Sequence, residues 1–422
     1  MKIVKEIKNI SLKRSVDAGT NEQREAVMEI IEMVKKNGDS ALKDYTKKWD
    51  RAELTHLLVS EEEIASAYEN VEEEMISIIK EAASNIKEYH QKQLKSSWNF
   101  TQENGSILGQ RILPLDSVGV YVPGGTAAYP SSVLMNVIPA TVAGVKRIVM
   151  VSPPNENGTL PSAVLIAAHI AGVKEIYKVG GAQAIAALAY GTASIKKVDK
   201  IVGPGNIFVA LAKREVFGDV AIDMIAGPSE IAIIADDTAI AKEVAADLLS
   251  QAEHDERASS VLVTTSNELA EEVSKEVELQ LMDLPRKDIA KKSIEQYGLI
   301  VVVKTVEEAV TLINTIAPEH LEIITENPYE ILGNIRHAGS IFIGRYSSEP
   351  VGDYFAGTNH VLPTNGTARF SNPLNVDDFQ KKSSITHYSE TAFKENAHKI
   401  AKFARLEGLE AHARAIEARY EV

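Results

Sequence analysis

Several short stretches of this chain carry side chains that could grip a cation or move a proton. Gln251 and His254 stand three apart near the end of a helical segment whose inward stripe runs Ile240, Val244, Leu248, so both can point the same way. An amide and an imidazole so placed could hold a metal, or could simply hydrogen-bond the carbonyls of a helix end. Glu319 and His320 follow Ala317-Pro318 and precede a strand-like run. Adjacent side chains diverge on a strand, but in a turn an acid and an imidazole can face one site; the alternative is a surface loop with a titratable pair. Asp353 stands in Val351-Gly352-Asp353-Tyr354, at the head of a loop running through Gly357-Thr358-Asn359-His360, where Asp also serves as an ordinary turn residue. His412 shares a helical stripe with Leu409 and Ile416, as a core or interface histidine would. Zinc accepts imidazole nitrogen and carboxylate oxygen, yet the spacing of 251, 254, 353 and 412 does not by itself bring these groups together.

Four glycine turns could approach a ligand with their backbone: Pro123-Gly124-Gly125, Gly180-Gly181, Gly203-Pro204-Gly205 and Gly227-Pro228-Ser229. Each follows a strand-like run, and in an open parallel sheet the ligand crevice lies off such strand ends, where helix N-termini suit a phosphate. None matches the dinucleotide fingerprint of three spaced glycines, and plain turn chemistry explains each one singly.

The elements that must position these groups follow from periodicity. Residues 20 to 37 read as a helix capped by Thr20 or Asn21 and closed by Gly38, with Val27, Ile30, Ile31 and Val34 inward. Residues 60 to 93 read as a longer helical stretch opened by a Ser60-to-Glu63 capping box, its Glu runs a solvated face. From Val118 onward, short β-branched runs alternate with helical segments, which predicts βα units and parallel sheets. The first set has strands 118–122, 147–151, 175–179, 200–202 and 231–235, with helices 131–144, 160–171, 181–190 and 206–216 between them. The second has helix 238–254, strand 260–265, helix 267–282, strand 299–303, helix 305–316 and the apolar run 321–324. The pattern predicts two doubly wound domains. Residues 346 to 386 look like a long ordered loop region, and 390 to 420 like helix interrupted at Gly408.

Composition narrows the chemistry. The 422 residues, 45% hydrophobic and 25% charged, suit a globular chain of more than one domain. A net charge of −14 offers nothing to phosphate backbones or anionic lipid, so nucleic acid and membrane are not expected partners. The N-terminal residues lack a secretory apolar segment and no later run suits a membrane span, so a cytoplasmic location is expected. There is no cysteine, which removes thiolate ligands and any mechanism through a thioester or thiohemiacetal.

At Val202-Gly203-Pro204-Gly205-Asn206, Gly227-Pro228-Ser229-Glu230, Ser250-Gln251-Ala252-Glu253-His254, Ala317-Pro318-Glu319-His320-Leu321 and Gly352-Asp353-Tyr354 through Thr364, the sequence resembles the histidinol dehydrogenase family over nearly its whole length. The resemblance implies oxidation of L-histidinol through L-histidinal to L-histidine, with two NAD and one zinc ion per site, by a homodimer. It implies zinc ligands at Gln251, His254, Asp353 and His412, the last reaching in from the partner subunit, and a general base pair at Glu319 and His320. Tyr121, Gln183 and Asn206 resemble NAD contacts. Ser229 and Glu407 resemble additional substrate contacts, beside Gln251, His254, His320, Asp353 and His412.

The implied fold is α/β: two incomplete Rossmann-like doubly wound domains with a small N-terminal arm and a helical C-terminal tail. The expected division is 1–19 for the arm, 20–117 with 230–380 for one domain, 118–229 for the other, and 381–422 for a tail that contacts the partner subunit. A metal-dependent hydrolase on the same scaffold is the rival enzyme class, with Glu319 still activating water but no nucleotide bound. A catalytically silent metal or nucleotide sensor is the rival outside enzymes.

Overall fold

The computed structural model describes residues 1–5, 19–124, 128–225 and 227–419. Most of the expected N-terminal arm and Gly125 of the first glycine turn lie outside the described residues. Strands β1 (Lys2–Val4), β2 (Trp98–Thr101), β3 (Ile107–Pro114), β4 (Ser117–Tyr121), β5 (Arg147–Ser152), β6 (Glu175–Lys178), β7 (Lys200–Val202), β8 (Ala221–Ile222), β9 (Glu230–Ala235), β10 (Ser259–Thr264), β11 (Gly298–Val302), β12 (His320–Ile324), β13 (Ser340–Ile343) and β14 (Gln380–His387) fall into three sheets.

Two of these sheets are parallel, in the orders β6-β5-β4-β7-β8 and β1-β11-β10-β9-β12-β13. Counted from the first strand of each βα series, both read third, second, first, fourth, fifth. That is the order of a Rossmann-like sheet, with its switch point between the first and fourth strands. Helices cover both faces, so the central strands are apolar without alternation; every residue of β9 is buried. Among the described residues, no helix is long and apolar enough to cross a membrane.

The chain divides into two compact units: residues 1–93 with 115–379, and residues 94–114 with 380–422. The first holds both parallel sheets. Its N-terminal helix Asn21–Asn37 is capped by Thr20, whose hydroxyl accepts from Gln23 N and whose backbone N–H donates to Gln23 Oε1 in return. Val27, Ile30, Ile31 and Val34 of that helix join a core with Tyr121, Val149 and Ile185. Helices of residues 21–91 pack on the β4–β8 sheet.

The stretch 60–93 is two helices, Glu61–Glu69 and Glu73–Gln91. The first opens on the Ser60–Glu63 capping box and ends at Asn70, whose side-chain amide donates to Ser66 O at 2.8 Å. Such local side-chain bonds compete with helix continuation.

The second unit is the antiparallel sheet β14-β3-β2 with helices Glu390–Leu406 and Glu410–Glu417. Gly408, at φ 76°, breaks the helical run as its residue type predicts. The segment 380–387, expected within a loop region, is strand.

Candidate active site

A cavity of about 250 Å³ lies where the carboxyl ends of β4 and β7 meet the amino ends of β9 and β12. Pro123 and Gly203 come from the first pair of ends, Ser229, Glu319 and His320 from the second. Helix Ala241–Ala252 contributes Gln251, and His254 follows two residues past its end. Loop 349–364 contributes Glu349, Asp353 and His360.

Glu319 and His320 are placed by a sharp turn. Helix Val306–Ile316 ends in Ala317, a buried non-glycine residue at φ 52°, and the chain then enters β12 beside β9. There His320 pairs in register with Ile231, and its Nδ1 lies 3.0 Å from the carbonyl oxygen of Glu230. A carbonyl can only accept, so Nδ1 carries the hydrogen and Nε2 keeps its lone pair. Among the described residues Nε2 has no hydrogen-bond partner, though it is buried. It stands 3.8 Å from Asp353 Oδ1 and 4.0 Å from Glu349 Oε1. Burial holds the imidazole below its ordinary pKa, against the pull of Asp353. The Glu319 carboxylate accepts from Glu230 N at 2.9 Å, yet burial pushes its pKa well above the usual range.

The opposite wall is built to hold charge. Gln251 ends the inward stripe Val244, Leu248, Gln251 and is 0% exposed, and among the described residues neither its amide oxygen nor its amide nitrogen finds a partner. Leaving such a group unmet costs about 1–3 kcal/mol, so the position makes sense only with something to bind. His254 lies at the exposed rim, its backbone N–H bonded to Gln251 O at 3.2 Å. Asp353 rides a π-helical turn, Gly352–Ala356, of a kind that recurs at functional sites. Asn85 pins that turn through Phe355 O at 2.9 Å, and Asn359 pins the following segment through Met135 O at 2.7 Å.

Acids crowd this wall. Ligand atoms of His320, Glu349 and Asp353 lie within 4.8 Å of one another. Burial, then the neighbouring Asp353, pushes Glu349 up to about 7. Burial also works against the Asp353 carboxylate, but His360, His320 and His254 together hold it below its ordinary value. An unmet amide oxygen, an imidazole and a low-pKa carboxylate around an acidic cavity fit a divalent cation of nitrogen and oxygen preference, zinc among them.

A second cavity, of about 740 Å³, lies over the carboxyl ends of β4, β5 and β6, and Pro123 lines both cavities. Tyr121, Gln183 and Asn206 all line this second one. Tyr121 accepts from Gly181 N at 3.1 Å and keeps its hydroxyl hydrogen, burial having pushed its pKa to about 12. Gln183 is 1% exposed and, among the described residues, its Oε1 has no partner. Asn206 spends its Oδ1 capping helix Ile207–Val216, which leaves its amide N–H groups to face a ligand. These features fit a nucleotide held by hydrogen bonds in place of a glycine fingerprint.

Of the residues singled out in the sequence, Ser229, Gln251, His254, Glu319, His320 and Asp353 line the first cavity. Glu407 and His412 belong to the second unit: Glu407 caps helix Glu390–Leu406, His412 lies in helix Glu410–Glu417, and both are exposed. The sequence reading missed Glu349 and gave no role to His360. His360 was visible as an imidazole in the Gly/Asn-rich loop, whereas Glu349, between Ser348 and Pro350, gave no local signal.

A family model described as histidinol dehydrogenase matches residues 13–420. The histidinol dehydrogenase of Bacillus licheniformis is 68% identical over 411 residues, covering 97% of this chain and 96% of that protein. That of Bacillus subtilis is 64% identical over 419 residues, covering 99% and 98%. The crystal structure of histidinol dehydrogenase from Elizabethkingia anophelis superimposes with a TM-score of 0.93 at 41% identity, covering 97% of this chain and 94% of that one. With relatives this similar over the full length, the chain is an oxidoreductase that belongs to the histidinol dehydrogenase family.

Proposed function

We propose that this enzyme carries out the four-electron oxidation of L-histidinol to L-histidine through L-histidinal, using two NAD and one zinc ion per site. The observation that carries this reading is the buried Nε2 of His320, unpartnered among the described residues, facing a cavity walled by the Gln251 amide, likewise unmet among them, and by Asp353. Gln251, His254 and Asp353, with His412 of the partner subunit, would hold the metal, which would supply a Lewis acid to orient the substrate. Tyr121, Gln183 and Asn206 would hold NAD, which would supply the hydride acceptor.

The protein's own part is proton management and positioning. His320 Nε2 accepts the alcohol proton as hydride departs, its tautomer already set by Glu230 O. Oxidising the aldehyde first requires water to add to it. With no cysteine to form an adduct, Glu319 activates that water and His320 again takes a hydroxyl proton. Ser229 and Glu407 add substrate contacts.

A homodimer is part of the proposal. The second unit exposes Trp98, Phe100, Ile385, Ile400, Phe403 and Leu406, an apolar set that a second copy would cover. The test is direct: NADH absorbance should grow when L-histidinol and NAD are supplied, vanish with a chelator and return with zinc. No NADH from histidinol would overturn the assignment.

A further inference from the structure

The 740 Å³ cavity contains a carboxylate that the reaction does not use. Asp50 follows helix Asp39–Trp49, and among the described residues nothing donates to its buried Oδ2. Burial pushes this carboxyl up to about 6, so at neutral pH it is ionised with a hydrogen-bonding site unfilled.

Its place in the sheet says what could fill that site. In a Rossmann-like sheet the first, second and third strands carry the adenosine half of a dinucleotide, and an acid at the end of the second strand receives the ribose hydroxyls. Here the cavity spans the ends of β4, β5 and β6, which are those three strands. But β5 ends in Ser152 and runs into Pro153-Pro154, with no acid at that position. The next acid along, Glu156, is exposed and pairs with Arg51 at 3.0 Å. Asp50 brings a carboxylate into the same crevice from outside the sheet, and the one cation beside it in sequence, Arg51, is engaged by Glu156.

We propose that Asp50 reads the adenosine ribose of the dinucleotide, accepting hydrogen bonds from its 2′- and 3′-hydroxyls and excluding a 2′-phosphate. This makes Asp50 the residue that selects NAD over NADP, and it rests on the reading of this cavity as the NAD site. Two vicinal hydroxyls supply the donors the buried oxygen lacks. A phosphate there would set a dianion against a desolvated carboxylate.

The test compares NAD, 2′-deoxy-NAD and NADP, in direct binding by titration calorimetry and in steady-state turnover of histidinol, for the wild-type enzyme and for Asp50→Asn. The wild type should favour NAD strongly over both analogues. Asp50→Asn should raise KM for NAD by roughly 10- to 100-fold with kcat little changed, the range expected when a hydrogen bond to a charged group is lost. It should also narrow the preference over NADP and lose nothing further with 2′-deoxy-NAD. The 2′-deoxy comparison on the wild type needs no variant and stands even if Asp50→Asn folds poorly. Wild-type enzyme that turns over NAD and 2′-deoxy-NAD equally, or a variant with unchanged KM and unchanged NADP discrimination, overturns this proposal alone. Wild-type enzyme that reduces no NAD overturns it together with the cofactor reading.

Discussion

Nδ1 of His320 donates to the main-chain oxygen of Glu230 across the neighbouring strand, at 3.0 Å, so the tautomer of the base is written into the sheet register. Replacing His320 by Asn should slow both oxidations by about 10²- to 10⁴-fold, the usual contribution of a positioned base. In the proposed mechanism His320 works unprotonated, and burial lowers its pKa. The acid limb of kcat/KM for histidinol should therefore lie below the ordinary imidazole value, with activity rising as pH climbs through it. A pH–rate profile of both proteins checks this; an unchanged profile in the variant removes His320 from the mechanism.

In the proposed mechanism Glu319 divides the two half-reactions. Glu319→Gln should spare histidinol oxidation and slow histidinal oxidation by about 10²- to 10⁴-fold. A carboxyl whose pKa is raised must lose its proton to act as base, so the aldehyde step should fade on acidification at a higher pH than an ordinary glutamate would allow. Feeding histidinal separately measures it, and equal losses in the two steps would refute the division.

Gln251 gives a prediction that needs no turnover. Because its amide is buried without a partner among the described residues, Gln251→Met removes a penalty of about 1–3 kcal/mol from the metal-free fold. The metal-free variant should melt no lower than wild type, while the rise in melting temperature on adding zinc should shrink. A lower melting point with the full zinc response would mean that the amide has a purely structural role.

Asp353 and His412 belong to different compact units, and the proposed dimer brings them together from different chains. Mixing inactive Asp353→Asn chains with inactive His412→Asn chains should restore activity through heterodimers that carry one intact site. If chains exchange and no activity returns, His412 acts within its own chain.

The parallel sheets were legible because buried strands alternate with amphipathic helices within short windows: 147–151, 200–202 and 260–265 appear within a residue or two of where their β-branched runs place them. Caps were legible for the same local reason, as at Ser60 and Glu63. The antiparallel sheet was not. Every residue of β14 after Gln380 is exposed, so it has no buried face to print an alternation, and its partner β3 is more than 260 residues away in sequence. Helix Asp39–Trp49 went unread because it follows Gly38 directly, where a reading of helix ends expects chain reversal. At the site, motif residues were readable and Glu349 was not, since its role comes from a fold contact with His320 and not from its neighbours.

β12 is hydrogen-bonded to β9 on one side and β13 on the other, and His320 is its first residue. With Nδ1 also bonded to Glu230 O, the imidazole of the proposed base is restrained through its side chain as well as its backbone. The alcohol carbon offers its first hydride from a tetrahedral centre and its second only after becoming planar and then tetrahedral again. In the proposed reaction, any reorientation between these events would fall to the small molecules.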